Sequence, residues 1–221
     1  MNIIIVGEGE IGESKVYRTW VPFINPSLNY VDHVSKIVEN NFCITIGGGY
    51  PNYFDVIDNA IADVNSFGNI DRLVIAIDSE DFTYEERYEE IKQHIYGKHC
   101  SAEIHIIVQH FCLETWALAN QTIIRPTPQC EKLREYMRVY NVRQNDPALL
   151  PALPSSNLNR AKFAEKYLRR ALQDKHRNLT YSKSNPEALL HINYFNRVKQ
   201  RFEGMNHIQS FEHFLSAFKN P

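Results

Sequence analysis

Arg72-Leu73-Val74-Ile75-Ala76-Ile77, running straight into Asp78-Ser79-Glu80-Asp81, decides the fold. The run from Leu73 to Ile77 is apolar without alternation and too short for a buried helix, which is the pattern of a strand covered on both faces. Two other runs read the same way. Asn2-Ile3-Ile4-Ile5-Val6 leads into Gly7-Glu8-Gly9-Glu10, and Ile104-His105-Ile106-Ile107-Val108 runs on toward Glu114. A further strand, Phe42-Cys43-Ile44-Thr45-Ile46, stops at Gly47-Gly48-Gly49. Helical patterns lie between them: Glu13 to Phe23, a stretch from Pro51 with Ile57, Ile61 and Val64 on one face, and a charged helix from Thr83 to Tyr96. A less marked helix is expected over 31–40, and another from Leu113. Strand alternating with helix predicts an α/β fold, a mostly parallel sheet flanked by helices.

The chain has 221 residues, 43% of them hydrophobic and 23% charged, so one sizeable core with an appended lobe is expected rather than a disordered chain. No apolar run reaches the roughly 20 residues that span a bilayer, and no basic region precedes the first apolar run. A cytoplasmic protein is expected. Cys43, Cys100, Cys112 and Cys130 are far apart and lack zinc-type spacing, so they read as buried thiols.

Charge divides the chain. Residues 1–150 hold 12 Lys/Arg against 21 Asp/Glu, while residues 151–221 hold 12 against 5. Pro126, Pro128, Pro147, Pro151 and Pro154 interrupt the region after Arg125, and Ser155-Ser156-Asn157 offers caps for a helix from Leu158 to Asp174. On that helix Lys162, Lys166, Arg169 and Arg170 interleave with Phe163, Ala164, Tyr167, Leu168 and Leu172. Helices at 188–202 and 210–218 follow the loop Tyr181-Ser182-Lys183-Ser184-Asn185-Pro186. The expected division is an α/β domain over 1–124 and a basic helical lobe over 125–221, a distribution suited to a polyanion such as nucleic acid.

In open parallel sheets, ligands gather beyond the carboxyl ends of the strands. Carboxylates crowded there repel one another unless a cation intervenes, and a hard divalent ion such as Mg²⁺ takes oxygen ligands. Glu8, between two glycines after the first strand, is placed to move a proton beside such an ion. Glu10 and Glu13 are lesser candidates, because acids favour the first turn of any helix. Asp78 and Glu80 would share one side of an extended segment and grip the ion together, with Asp81 joining if the chain turns. Glu114 sits in an apolar run, where an unpaired carboxylate costs several kcal/mol, so it requires a cation or a hydrogen-bonded partner. Gly47-Gly48-Gly49 lacks the lysine of a phosphate loop and reads as a turn. Gly7, Gly9 and Gly12 match a dinucleotide fingerprint, but the acids within and just after it, Glu8, Glu10 and Glu13, would face the pyrophosphate.

Val6-Gly7-Glu8-Gly9-Glu10-Ile11-Gly12-Glu13, Asp78-Ser79-Glu80-Asp81 and Leu113-Glu114-Thr115-Trp116-Ala117-Leu118 together resemble the signature of Toprim-fold proteins, in particular the RloB-like and OLD-nuclease-related group of phage-defence proteins. The resemblance covers about residues 1–120. It implies a nuclease that cleaves DNA or RNA with Mg²⁺, Mn²⁺ being a possible substitute. Glu8 would then serve acid–base chemistry, Asp78 with Glu80 or Asp81 would hold the ion, and Glu114 would be a further site residue. Lys162, Lys166, Arg169 and Arg170 would contact phosphates, and Lys183 would approach the leaving group. An ABC- or SMC-like ATPase partner in anti-phage defence is implied by the family. The alternatives are a non-catalytic subunit binding that ATPase, and a phosphoryl or nucleotidyl transfer enzyme on a small substrate.

Overall fold

The computed structural model describes residues 1–9, 11–49, 51–154 and 156–220. Five strands form one all-parallel sheet in the order β2-β3-β1-β4-β5. They are β1 (Ile3–Gly7), β2 (Asn29–Tyr30), β3 (Asn41–Ile46), β4 (Arg72–Asp78) and β5 (Glu103–Gln109). Every residue of β1 is buried, as is β4 up to Ile77, which is why neither run alternates. In register, Gly7 pairs with Ile46 on one side and Ala76 on the other.

The chain passes from β1 to the edge strand β2, returns to β3 beside β1, and then crosses to β4 and β5, with α-helices on every connection except β2 to β3. These are α1 (Ile11–Ile24), α2 (Tyr53–Phe67) and α3 (Tyr84–Ile95). The apolar face of α2 buries Tyr53, Ile57, Ala60, Ile61 and Val64. Gly68, at φ 67°, ends α2 in the left-handed conformation that glycine tolerates.

The remaining helices are α4 (Leu113–Ala117), α5 (Glu131–Val139), α6 (Arg160–Lys175), α7 (Ile192–Met205) and α8 (Phe211–Phe218). Two compact units result. One comprises Met1–Ile77, Tyr84–Val108 and the chain end from Glu212; the other comprises Asp78–Thr83 and Gln109–Phe211. This division differs from the expected boundary after residue 124. In the first unit, Phe214 meets Tyr17 edge-on at 5.0 Å, and the buried Arg72 guanidinium donates to Ala217 O (2.9 Å) and Lys219 O (2.8 Å). In the second, Trp116 of α4 donates its indole N–H to Ser210 Oγ (2.8 Å) and packs edge-on against Phe211.

Other expectations need correcting. The helix over 31–40 is absent; β2 lies just before it, and a single 3₁₀ turn at Val34–Lys36 takes its place. Short polar side chains take the amides a helix would use: His33 Nδ1 accepts from Ser35 N–H (3.2 Å), and Asn41 Oδ1 from Val38 (2.9 Å) and Glu39 (3.2 Å). Helix α5 falls in the proline-broken stretch and was not expected; it buries only Leu133 and Tyr136, a faint periodic signal. Asn159, not the preceding serines, caps α6 by accepting from Lys162 N–H (2.8 Å), and Ser155 lies outside the described residues. Of the four free thiols, Cys43 and Cys112 are buried and the other two half-buried. Among the described residues no helix is long and apolar enough to cross a membrane.

Candidate functional site

Within the second unit, the end of β4 and the loop after β5 bring polar groups together. Ser79 N–H donates to Gln109 O (3.1 Å) and Glu80 N–H to Phe111 O (2.8 Å), so the acidic turn is stitched to the segment leading into α4. Ser79 Oγ lies 2.7 Å from His110 Nδ1. Glu114, in the first turn of α4, is 2% exposed. Its Oε1 accepts a hydrogen bond from the Tyr181 hydroxyl at 2.7 Å.

Tyr181 and Lys183 come from one small structure, the antiparallel bridge between Ser182 and Asn185. Tyr181 directly precedes the bridge, and Lys183 is the first residue of the tight turn that it closes. Burial acts to lower the pKa of the Lys183 ammonium, but the Glu114 and then the Asp78 carboxylates overcome this and raise it above the ordinary lysine value. Burial, then Glu114, also raises the Tyr181 phenol well above its usual range. The buried Cys112 thiol is raised by burial, Glu114 and Asp78, in that order, and is kept protonated. Glu165 of α6 acts on both Tyr181 and Lys183.

Asp78, Glu114 and Lys183 are therefore brought together, with Tyr181, Cys112 and Glu165 as companions the sequence reading missed. Lys183, an exposed residue, is the cation on which the Glu114 and Asp78 carboxylates act. Among the described residues no group of three or more His, Cys, Asp or Glu side chains is arranged to hold a metal ion.

The other acids sit differently. Extension ends at Asp78, and Glu80 is exposed with φ 49°, so the alternation expected to align Glu80 with Asp78 does not continue through the turn. Asp81 faces the start of α6: its Oδ1 accepts from Arg160 N–H (3.1 Å), its carbonyl from Arg160 Nη2 (2.6 Å), and Arg160 Nε lies 3.7 Å from Oδ1. That guanidinium also lies over the Phe111 ring at 4.1 Å. Asp81 thus anchors a helix start.

Glu8 belongs to the first unit. Its N–H donates to Ala76 O (3.0 Å), and its carbonyl accepts from Gly49 N–H (3.1 Å). Gly48 and Gly49, at φ 69° and 84°, make the turn expected of the glycine run, and a Cβ on Gly47 would stand 2.6 Å from Tyr53 Cβ. Nearby, Glu90 Oε2 accepts from the buried Arg87 (2.5 Å) and from the Tyr53 hydroxyl (3.1 Å). Burial lowers the Arg87 pKa, while Glu90, Tyr53 and Glu8 together raise it. Arg87 was missed because it lies in a charged helix; the signal was its position four residues before Ile91 on the buried face of α3. Glu13 accepts from Gly9 N–H (2.6 Å) and so braces the loop, whereas Glu10 lies outside the described residues.

No protein-family model, no curated protein and no solved structure matches this chain. On α6, Lys162 and Arg170 are exposed and Lys166 and Arg169 half-buried, with Lys162, Lys166 and Arg169 spaced along one stripe. The second unit as a whole carries 16 Lys/Arg against 11 Asp/Glu.

The pKa shifts have a consequence for stability. Tyr181 and Lys183 hold their protons more tightly folded than unfolded, so what they contribute is complete below about pH 10 and is lost as pH climbs through the raised values. Unfolding free energy is expected to fall above about pH 10. Tyr181→Phe removes one such proton and should flatten the fall by up to about 1.4 kcal/mol per pH unit. Denaturant melts at pH 9, 10 and 11 check this, and an unchanged slope would count against it.

Proposed function

We propose that this chain is a Mg²⁺-dependent phosphodiesterase acting on nucleic acid, with the reaction at Asp78, Glu114 and Lys183. The observation that carries the reading is the gathering of two carboxylates and one ammonium at the carboxyl end of β4, where open α/β sheets take ligands. The resemblance to Toprim nucleases adds to it.

The residues fit the ion in a sparse way. Mg²⁺ usually takes one or two protein carboxylates and completes its shell with water and substrate phosphate, and Asp78 and Glu114 are two carboxylates acting on common neighbours. Bound there, the ion would polarise the scissile phosphate and offset the charge that develops on it. Tyr181 orients Glu114 through its 2.7 Å hydrogen bond. Lys183 is a poor proton donor, because its pKa is raised, and serves as a fixed positive charge toward the phosphate. Water adds to phosphorus and gives up a proton to solvent, the bond to the leaving sugar oxygen breaks, and that oxygen takes a proton from solvent. Lys162, Lys166, Arg169 and Arg170 bind the backbone without reading sequence.

The test is incubation of purified chain with plasmid DNA, single-stranded DNA and tRNA, in Mg²⁺ and in chelator, without and with the ATPase partner that the resemblance implies. Cleavage abolished by chelator supports the reading. Intact substrates in every arm favour the non-catalytic subunit instead.

A further inference from the structure

A second polar feature of this unit shares no residue with the Asp78–Glu114–Lys183 cluster. A cavity of about 300 Å³ is lined by Gln121 and Thr122 and, from α7, by Arg197, Gln200, Arg201, Gly204 and the exposed Met205. It holds two guanidinium groups and no carboxylate. Arg197 and Arg201 are four residues apart on one helix, a spacing at which like charges oppose each other.

Arg201 is 3% exposed. Its Nε donates to His207 Nδ1 (3.1 Å), Nη1 to Val142 O (2.7 Å) and Nη2 to Asn145 O (2.6 Å). A guanidinium has five N–H donors, so these three bonds leave two more. Asp146, whose charge reaches Arg201, directs its Oδ1 to the amides of Ala148 and Ile208 at 3.0 Å each. Burial lowers the Arg201 pKa to about 10, the sign of a cation short of negative charge. Arg197 donates to Gln200 Oε1 (3.0 Å), which leaves the Gln200 amide nitrogen as a donor. The cavity therefore presents two guanidinium groups, and its lining residues include no carboxylate.

Gly204, an exposed residue near the end of α7, lines the cavity without a side chain. Glycine within a helix costs about 1 kcal/mol relative to alanine, yet a Cβ at Gly204 would meet no atom within 4 Å. Packing does not require a glycine there, and any side chain would project into open space.

We propose that this cavity binds a phosphate group, with Arg197 and Arg201 taking its oxygens and Gly204 leaving space for the group it is attached to. Forked guanidinium donors match phosphate oxygens in pairs. The volume lies at the lower end for small-molecule sites, which suits a phosphate with a substituent rather than a bare ion. The phosphate comes either from a free nucleotide-sized molecule or from a nucleic-acid backbone.

Calorimetric titration of the full chain at low salt with inorganic phosphate, adenosine 5′-monophosphate and a short single-stranded oligonucleotide tests this. Saturable binding of at least one is expected, weakened about tenfold or more by Arg197→Glu. Gly204→Phe, which keeps both charges and fills the space, should weaken it similarly. Binding of the monophosphate assigns a free ligand, and oligonucleotide binding that both Arg197→Glu and Gly204→Phe weaken, with no monophosphate binding, assigns the backbone. The titrations are run without Mg²⁺ and read binding alone, so a failed nuclease reading leaves this result standing. The proposal is overturned if none of the three binds, or if folded Arg197→Glu and Gly204→Phe variants bind unchanged.

Discussion

Asp78→Asn is expected to lower Mg²⁺-dependent cleavage about a hundredfold to a thousandfold, the usual cost of removing one electrostatic group from a reacting phosphate's surroundings. Asn is nearly isosteric with Asp, so secondary structure and melting temperature should stay close to those of the parent. The substitution removes charge from the one carboxylate that ends β4 and acts with Glu114 on Lys183. Glu80→Gln and Asp81→Asn sharpen the test. Glu80 is exposed beyond the strand end and Asp81 is engaged by Arg160, so each should change cleavage less than about tenfold. Rates measured on one labelled oligonucleotide decide it. If either turn variant is as damaged as Asp78→Asn, the ion is held by the turn and not by Asp78 with Glu114.

The contrast among these acids shows what was legible in the sequence. Four strands and the helices between them could be read because a sheet covered on both faces needs unbroken apolar runs, and Ile3–Val6 and Leu73–Ile77 are such runs. The burial of Glu114 was legible for the same reason: its neighbours are apolar, so it had to have a partner. Who the partner was could not be read. Tyr181 lies 67 residues away and Lys183 two further on, in a loop whose shape depends on the bridge between Ser182 and Asn185. The alignment of Asp78 with Glu80 failed because alternation holds only while a strand continues, and Glu80 takes a left-handed conformation just past its end. Helix α5 and the absent helix over 31–40 were misread for a related reason. Two buried side chains scarcely mark a helix, and asparagine and histidine side chains can divert backbone amides from one.

Glu114→Leu is expected to cost about 3 kcal/mol of stability, even though leucine suits the apolar surroundings of α4. The loss arises from what remains. The Tyr181 hydroxyl, in a side chain 3% exposed, loses its acceptor, and Lys183 loses the stronger of the carboxylates that raise its pKa. Lys183 keeps enough exposure to reach water, so most of the cost falls on the stranded hydroxyl. A second change should therefore repair the first. With Tyr181→Phe added, both partners are apolar, a replacement that can be nearly neutral, and the double variant should regain about 1–2 kcal/mol over Glu114→Leu alone. Urea melts of the parent, the two single variants and the double variant at pH 7 measure the coupling. A coupling near zero would mean that Glu114 is held by Lys183 and not by the phenol. Glu114→Gln separates stability from chemistry: its amide oxygen can still accept from Tyr181, so the fold should be largely preserved, while a Mg²⁺ ion would lose one of its two charged ligands and cleavage should fall with it.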